Sequence, residues 1–249
     1  MKILLFDVES FPNEGWTWGT WDQKVIEVIQ RRMVCSIAWQ WYPSKEVTVM
    51  ALPDFPGYDP RKRTNKSLML RFAHELKSAD VAIGHNINQF DDPMVNAELL
   101  INRIDPPPPH RTIDTLQICR HKFRLNSNKL DDVCQELKIG KKVPHPGFGL
   151  WKGCMRGEAA SWSLMKKYNA GDVDPLLRGL YEHIRPWMTR HPNLSLDERR
   201  PCCPSCKHPV LKPWSRVHTQ AMTYQRMFCV KCRSWCKRVQ KGREWVYRP

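Results

Sequence analysis

Three stretches of this 249-residue chain together carry four carboxylates and one tyrosine. They are Asp7-Val8-Glu9 after an apolar run, Asn86-Ile87-Asn88-Gln89-Phe90-Asp91, and Tyr168-Asn169-Ala170-Gly171-Asp172. Acids gathered at one point repel one another unless cations neutralise them. Carboxylates are hard oxygen ligands suited to Mg²⁺ or Mn²⁺, and a pair of such ions is a device for cutting phosphodiesters. Asp7 and Glu9, two apart on a strand, leave the same face. Each piece alone also has a structural reading. Asp91 could cap a helix, Asp172 could sit favourably at a helix start, and Tyr168 could be core. Asp92 reads better as the N-cap before Pro93, and Phe90 reads as core. Asp114 is the remaining acidic competitor for a metal.

A second constellation lies near the C-terminus. Cys203-Pro204-Ser205-Cys206 and Cys229-Val230-Lys231-Cys232 are two Cys-x-x-Cys pairs separated by 22 residues. Each pair can wrap one side of a tetrahedral Zn²⁺, giving four thiolates. Cys202 and Cys236 are spare, and either could substitute. Four further cysteines are scattered, whereas a secreted disulfide scaffold would be smaller and more evenly stapled. Reduced thiols around one metal, no signal peptide and no membrane span together lead to a cytoplasmic expectation.

Charge points to a polyanion. The chain has 40 Lys/Arg against 25 Asp/Glu, a formal net of +15. Residues 191–249 hold 13 Lys/Arg and 3 Asp/Glu, a net of +10. Nucleic acid is the commonest partner of such an excess. In this tail Trp214, Tyr224, Phe228, Trp235, Trp245 and Tyr247 alternate with Arg226, Lys231, Arg233, Lys237, Arg238 and Arg243. The rings could stack unpaired bases or build a small core, and the segment could equally bind protein.

The elements that position these residues can be read coarsely. Lys2–Phe6 reads as a buried strand ending at Asp7. Met33–Trp41 and Glu46–Met50 read as neighbours in an antiparallel meander, and residues 53–66 as a loop with the basic run Arg61-Lys62-Arg63. Helices are expected over 67–77, from Asp92-Pro93 to 102, and over 127–137 with a cap. Val81–Gly84 and Arg111–Thr115 read as strands, the second followed by a helix to about 121. Residues 141–151 read as loop, 158–168 as helix and 172–187 as one longer helix. Its inward positions are Val173, Leu176, Leu177, Leu180, Tyr181 and Ile184. The order makes an α/β layer arrangement, a mixed sheet flanked by helices. The domain boundary falls near 191–199, dividing the chain into 1–190 and 191–249.

In this order the motifs resemble those of the DEDD-type 3′→5′ exonucleases, tyrosine subclass, on a ribonuclease H-like fold. They are most similar to exonuclease domains related to family B DNA polymerases. Phe6-Asp7-Val8-Glu9 matches the first motif, His85-Asn86-Ile87-Asn88-Gln89-Phe90-Asp91 the second, and Tyr168 with Asp172 the third. Lys167 stands where the histidine subclass would have its histidine. Ile113–Leu116 and Lys129–Val133 also resemble linking segments of such domains, and the likeness covers roughly residues 1–190. It implies that Asp7, Glu9, Asp91 and Asp172 ligate two Mg²⁺ or Mn²⁺ ions, with Asp7 bridging and Tyr168 orienting a water. Asn86, and more weakly His85, Lys129 and Lys141, would contact substrate. The implied reaction releases nucleoside 5′-monophosphates from DNA, single-stranded or frayed at its 3′ end, beside a C-terminal zinc ribbon. Proofreading would need a replication or repair partner, since no polymerase domain fits the length. An exoribonuclease and a non-catalytic nucleic-acid-binding zinc protein are the other readings.

Overall fold

The structure is a computed structural model. It describes every residue except Asp22, Arg63, Asp197, Arg199, Ala221, Gly242, Arg243 and Pro249, and omits the side chains of Gln240, Lys241, Glu244 and Trp245. Among the residues read from sequence, Arg63, Arg199, Arg243 and the Trp245 ring therefore lie outside the described set.

Five strands form the main sheet: β1 (Ile3–Phe11), β4 (Met33–Tyr42), β5 (Val47–Ala51), β6 (Val81–Gly84) and β7 (Arg111–Asp114). Their spatial order is β5-β4-β1-β6-β7. The β1–β4 and β4–β5 pairs are antiparallel, as the meander reading expects, while β1–β6 and β6–β7 are parallel. The helices are α1 (Lys66–Leu76), α2 (Asp91–Ile101), α3 (Thr115–Lys122), α4 (Leu130–Glu136), α5 (Phe148–Met155), α6 (Ala159–Gly171) and α7 (Arg178–Ile184). This is a mixed sheet flanked by helices.

Alternation along β1 builds a core on each face. Leu4, Phe6 and Val8 share one cluster with Leu68, Phe72 and Leu76 of α1, where the Phe6 and Phe72 rings lie 5.1 Å apart. Ile3 and Leu5 share the other with Val173, Leu177 and Tyr181. Truncating a ring as buried as Phe72 would cost about 3–5 kcal/mol.

Several expectations need correction. β1 does not stop at Asp7. It stays paired with β4 as far as Phe11↔Met33, whereas its pairing with β6 runs only from Ile3↔Val81 to Leu5↔Ile83. Asp7 and Glu9 thus sit where one neighbour has ended and the other continues. The expected helix over 172–187 is broken. A π-type segment (Asp172–Leu177) contains Pro175, and Asp174 adopts an extended backbone (φ −135°, ψ 118°) before α7 begins. Proline lacks the N–H a helix needs and drives the preceding residue out of the helical region. The apolar spacing survives the break, because Val173, Leu176, Leu177, Leu180, Tyr181 and Ile184 are all buried.

Asp92 does not cap α2. Phe90 holds that position, and Asp92 is the second helical residue, with its carboxylate on His110 Nε2 at 3.2 Å. Phe90 is 40% exposed and not core. The capped helix at Ser127 starts later, at Leu130, with Ser127 Oγ donating to Asp132. Helix α5 within the expected 141–151 loop was not foreseen. Nor was the exposed hairpin of β2 (Glu14–Trp16) and β3 (Glu27–Gln30).

The tail forms a separate antiparallel sheet of β8 (Leu211–His218), β9 (Thr223–Cys229), β10 (Trp235–Lys241) and β11 (Glu244–Arg248), ordered β11-β10-β9-β8. It is tied back through Leu194 N–H to Pro204 O (2.7 Å) and Asn193 Nδ2 to Tyr247 O (2.9 Å). No helix among the described residues is long and apolar enough to cross a membrane.

Candidate active site

The face of β1 that carries Ile3 and Leu5 continues to Asp7 and Glu9, and there the covering helix changes character. α6 ends at Gly171, and the turn into the π-type segment leaves Asp172 facing the two β1 acids. One carboxylate oxygen from each of Asp7, Glu9 and Asp172 lies within 4.8 Å of the others. Asp172 is buried, while Asp7 and Glu9 are partly open. Asn169, one turn back on α6, fixes the pair of elements. Its Nδ2 donates to Asp7 Oδ2 at 2.7 Å, and its Oδ1 accepts from Ser36 Oγ of β4 at 2.8 Å. Sequence reasoning misses Asn169, although it stands beside Tyr168 and shares the face of the acids.

Asp91 arrives from the other side. After β6 ends, the Val8 N–H is satisfied by Asp91 Oδ1 at 3.1 Å, which brings this buried carboxylate close enough to Asp7 to raise its pKa. It lies outside the group of three within 4.8 Å. The turn that delivers it depends on Asp114, which accepts from the N–H groups of Asn86 (3.0 Å) and Asn88 (3.3 Å). Asp114 also caps α3 through Leu116 and Gln117. Four backbone donors occupy Asp114, so it acts as a brace. Asn86 itself takes φ +73°, a left-handed conformation that asparagine tolerates better than most residues.

The remaining candidates fall differently. His85 has both ring nitrogens engaged, with Thr115 Oγ1 and Asn128 O, each at 2.9 Å. Burial also holds its pKa below the usual value. No ring nitrogen is left for substrate. Lys129 is exposed at the start of α4.

Like charges and burial dominate the electrostatics. Burial, then Asp91, Glu9 and Asp172, hold the Asp7 carboxyl well above the ordinary range. Burial and Asp172 push Glu9 up to about 8, against Lys142. Burial pushes Asp91 up to about 7, opposed by the N–H groups of Val8 and of Asp91 itself. Burial raises Asp172 too, with Lys142 pulling back. Lys142 is the cation the sequence did not single out. Its Nζ donates to Asp172 Oδ2 (2.6 Å) and to Tyr168 OH (2.8 Å). Burial alone would lower its pKa, but Asp172 and Tyr168 outweigh that and raise it. The phosphate-contact candidate of this pair, Lys141, is exposed, and nothing in Lys141-Lys142 distinguishes the second lysine from the first in sequence.

Tyr168 is pushed up to about 12 by burial and by Asp172, so its hydroxyl keeps its proton at neutral pH. Its ring packs edge-on against His145 and Trp151. The acids outnumber the one lysine on them and cannot all ionise at neutral pH unless a cation joins them, and Asp172 Oδ1 is buried with no hydrogen-bond partner among the described residues. An oxygen-rich pocket with an orphaned carboxylate oxygen fits a divalent cation.

The zinc expectation has its own geometric test. The Sγ atoms of Cys203, Cys206, Cys229 and Cys232 lie within 4.8 Å of one another. The Cys203–Cys232 and Cys206–Cys229 separations are both 3.6 Å. A tetrahedron with Zn–S bonds of ~2.3 Å has edges of ~3.8 Å, while a disulfide needs ~2.05 Å. The four thiols fit zinc. Cys202 and Cys236 are buried outside this group.

No protein-family model matches the chain, and no curated protein matches it. Among solved structures it is similar to that of the family B DNA polymerase from the hyperthermophilic archaeon Pyrobaculum calidifontis, with a TM-score of 0.55 and 19% identity. That match covers 75% of this chain and 25% of the polymerase chain. At this identity the likeness speaks for the fold, and it takes in a quarter of the polymerase's length.

Proposed function

We propose that the chain is a metal-dependent 3′→5′ DNA exonuclease of the DEDD type, tyrosine subclass. In this reading residues 1–190 form a ribonuclease H-like catalytic domain and residues 191–249 a zinc ribbon. The observation that carries it is the meeting of Asp7, Glu9 and Asp172 oxygens within 4.8 Å, with Asp91 held on the N–H of the intervening Val8. The resemblance of the fold to part of a DNA polymerase supports it.

Asp7, Glu9, Asp91 and Asp172 would hold two Mg²⁺ or Mn²⁺ ions. Bound there, such a pair supplies a hydroxide nucleophile at neutral pH and stabilises the charge on the phosphate. The chain's own groups do the rest. Asn169 keeps the Asp7 carboxylate turned toward Glu9 and Asp172. Tyr168, protonated, can donate a hydrogen bond that orients a water but is a poor base. The Lys142 ammonium, already on Tyr168 and Asp172, would take up part of the charge of a phosphate held at these acids. Asn86 stays a candidate for the terminal nucleotide.

A 5′-labelled single-stranded DNA incubated with Mg²⁺ or Mn²⁺ should shorten stepwise from its 3′ end and release nucleoside 5′-monophosphates. Asp7→Asn and Asp172→Asn should each slow this by about two to three orders of magnitude, the scale of losing one group that stabilises transition-state charge. Cleavage unaffected by both substitutions would refute the reading. A matched RNA strand distinguishes an exoribonuclease. Lys142 gives the non-catalytic reading its one support, because its ammonium partly neutralises Asp172 without any metal. Binding without cleavage at saturating Mn²⁺ would favour that reading.

A further inference from the structure

The outward face of the ribbon sheet has a composition its fold does not require. Along β9 and β10 the side chains alternate. Met227, Cys229 and Cys236 are buried, Cys229 as a member of the four-thiol cluster, while Tyr224, Arg226, Trp235 and Lys237 line an open depression. A register shift in β8 between Pro213 and Arg216 adds Trp214 to the same depression. Trp214 is 69% exposed and Trp235 49% exposed, so neither ring is core. They meet edge to face at 5.6 Å and 79°. Two rings so arranged cannot sandwich one base, but each can offer a face to a different one. Lys237 Nζ sits 5.1 Å over the Tyr224 ring, and Arg226 lies directly across from Lys237 in the ladder. No Asp or Glu occurs anywhere from Lys207 to Arg243. Trp235 also borders the next cleft, where Arg178, Arg185, Lys231 and Arg233 outnumber the one acid, Glu182.

We propose that this face is a binding site for single-stranded nucleic acid, with Trp214 and Trp235 stacking on separate bases and Arg226 and Lys237 contacting phosphates. Exposed rings set among cations, in a depression whose own lining holds no acid, match a strand that is a π-face and a negative charge at every step. A double helix hides its base faces. A protein partner of ordinary composition would bring lysines and arginines against Arg226 and Lys237, with no acid in the depression to receive them. The site is separate from the acid cluster, and its occupation needs no hydrolysis, so it stands or falls independently of the nuclease reading.

The test uses the full chain with zinc in place and EDTA-free buffer lacking Mg²⁺ and Mn²⁺, so that binding is read without cutting. Fluorescence anisotropy of a labelled (dT)₂₀ strand is followed with Trp214→Ala, Trp235→Ala and the pair. One zinc per chain in each variant reports an intact ribbon. Each single variant should bind about 10- to 100-fold more weakly, the loss of roughly one base stack. Trp235→Phe should retain most of the affinity, which a purely structural tryptophan at this exposed position would not predict. Arg226→Glu and Lys237→Glu should weaken binding and make the salt dependence shallower, by about 0.7 in log–log slope for each phosphate no longer neutralised. Unchanged affinity in the double tryptophan variant, with only the charge reversals acting, would reduce the face to plain electrostatic attraction and overturn the proposal. A wild-type protein that ignores (dT)₂₀ but binds an acidic peptide through the same residues would overturn it in favour of a protein-docking surface.

Discussion

Lys142→Met should convert the acid cluster into a metal-dependent part of the fold. The ammonium is 2.6 Å from Asp172 Oδ2, with 32% of the lysine side chain exposed and only 2% of the aspartate. Removing one partner of a buried ion pair costs about 3–5 kcal/mol. The partial exposure of the lysine places this pair at the low end, about 3 kcal/mol. For a chain of this size ~1 kcal/mol moves the midpoint by about 2–4 °C, so thermal unfolding in chelator should begin about 6–12 °C lower than wild type. The loss should depend on pH, and the sign is fixed by the raised carboxyls. Glu9, ordinarily near 4.5, is pushed up to about 8, and Asp91 up to about 7. Groups raised on folding contribute stability that is whole below their unfolded values and is lost as pH climbs through the folded ones. Wild type without metal should therefore weaken between about pH 4.5 and 8. Lys142 lowers both Glu9 and Asp172, so without it the decline should be steeper. Saturating Mn²⁺, at about 100 times its Kd, should return ~2.7 kcal/mol. Calorimetry at about pH 5 and pH 8, with chelator and with Mn²⁺, measures all of this. An equal loss at both pH values that Mn²⁺ does not reverse would show that Lys142 is merely packed there.

Two further outcomes follow from the same geometry. The ribbon should carry one zinc per chain by elemental analysis, and Cys206→Ser or a strong chelator should melt the tail's sheet. Loss of zinc with the sheet's circular dichroism intact would contradict a structural four-thiolate site. Asp114→Ala removes the cap of α3 and the acceptors of the Asn86 and Asn88 N–H groups, and should destabilise by about 3 kcal/mol. Urea titration measures this, and Asp114→Asn should recover part of it. If Asp114→Asn instead abolished Mn²⁺ binding while leaving stability untouched, Asp114 would be a ligand and not a brace.

The legible parts of this protein are those where local pattern and tertiary role coincide. Apolar runs placed β1, β4, β6 and β7, and two Cys-x-x-Cys pairs announced a four-thiol cluster that the structure assembles. Asp7-x-Glu9 shares a strand face because strand geometry demands it. The break after α6 is hidden for a physical reason. The inward spacing of Val173, Leu176, Leu177 and Leu180 persists through the π-type segment, so periodicity alone conceals the interruption that Pro175 imposes. The β2–β3 hairpin is largely exposed, with Trp16, Val28 and Ile29 on the outside. It therefore carries none of the inward-outward alternation by which strands are recognised. Lys142, Asn169 and the bracing role of Asp114 depend on partners 26 to 162 positions away in sequence. No local signal encodes such pairings.

The central claim is that carboxylates from β1, the start of α2 and the end of α6 share cations. Anomalous diffraction from a manganese-soaked crystal tests it directly. Two peaks ~3.5–4 Å apart, one of them touching both Asp7 and Asp172, are the expected result, with Lys142 displaced or retained beside Tyr168. A crystal at saturating Mn²⁺ with no peak at these acids, and Lys142 still closed on Asp172, would contradict it.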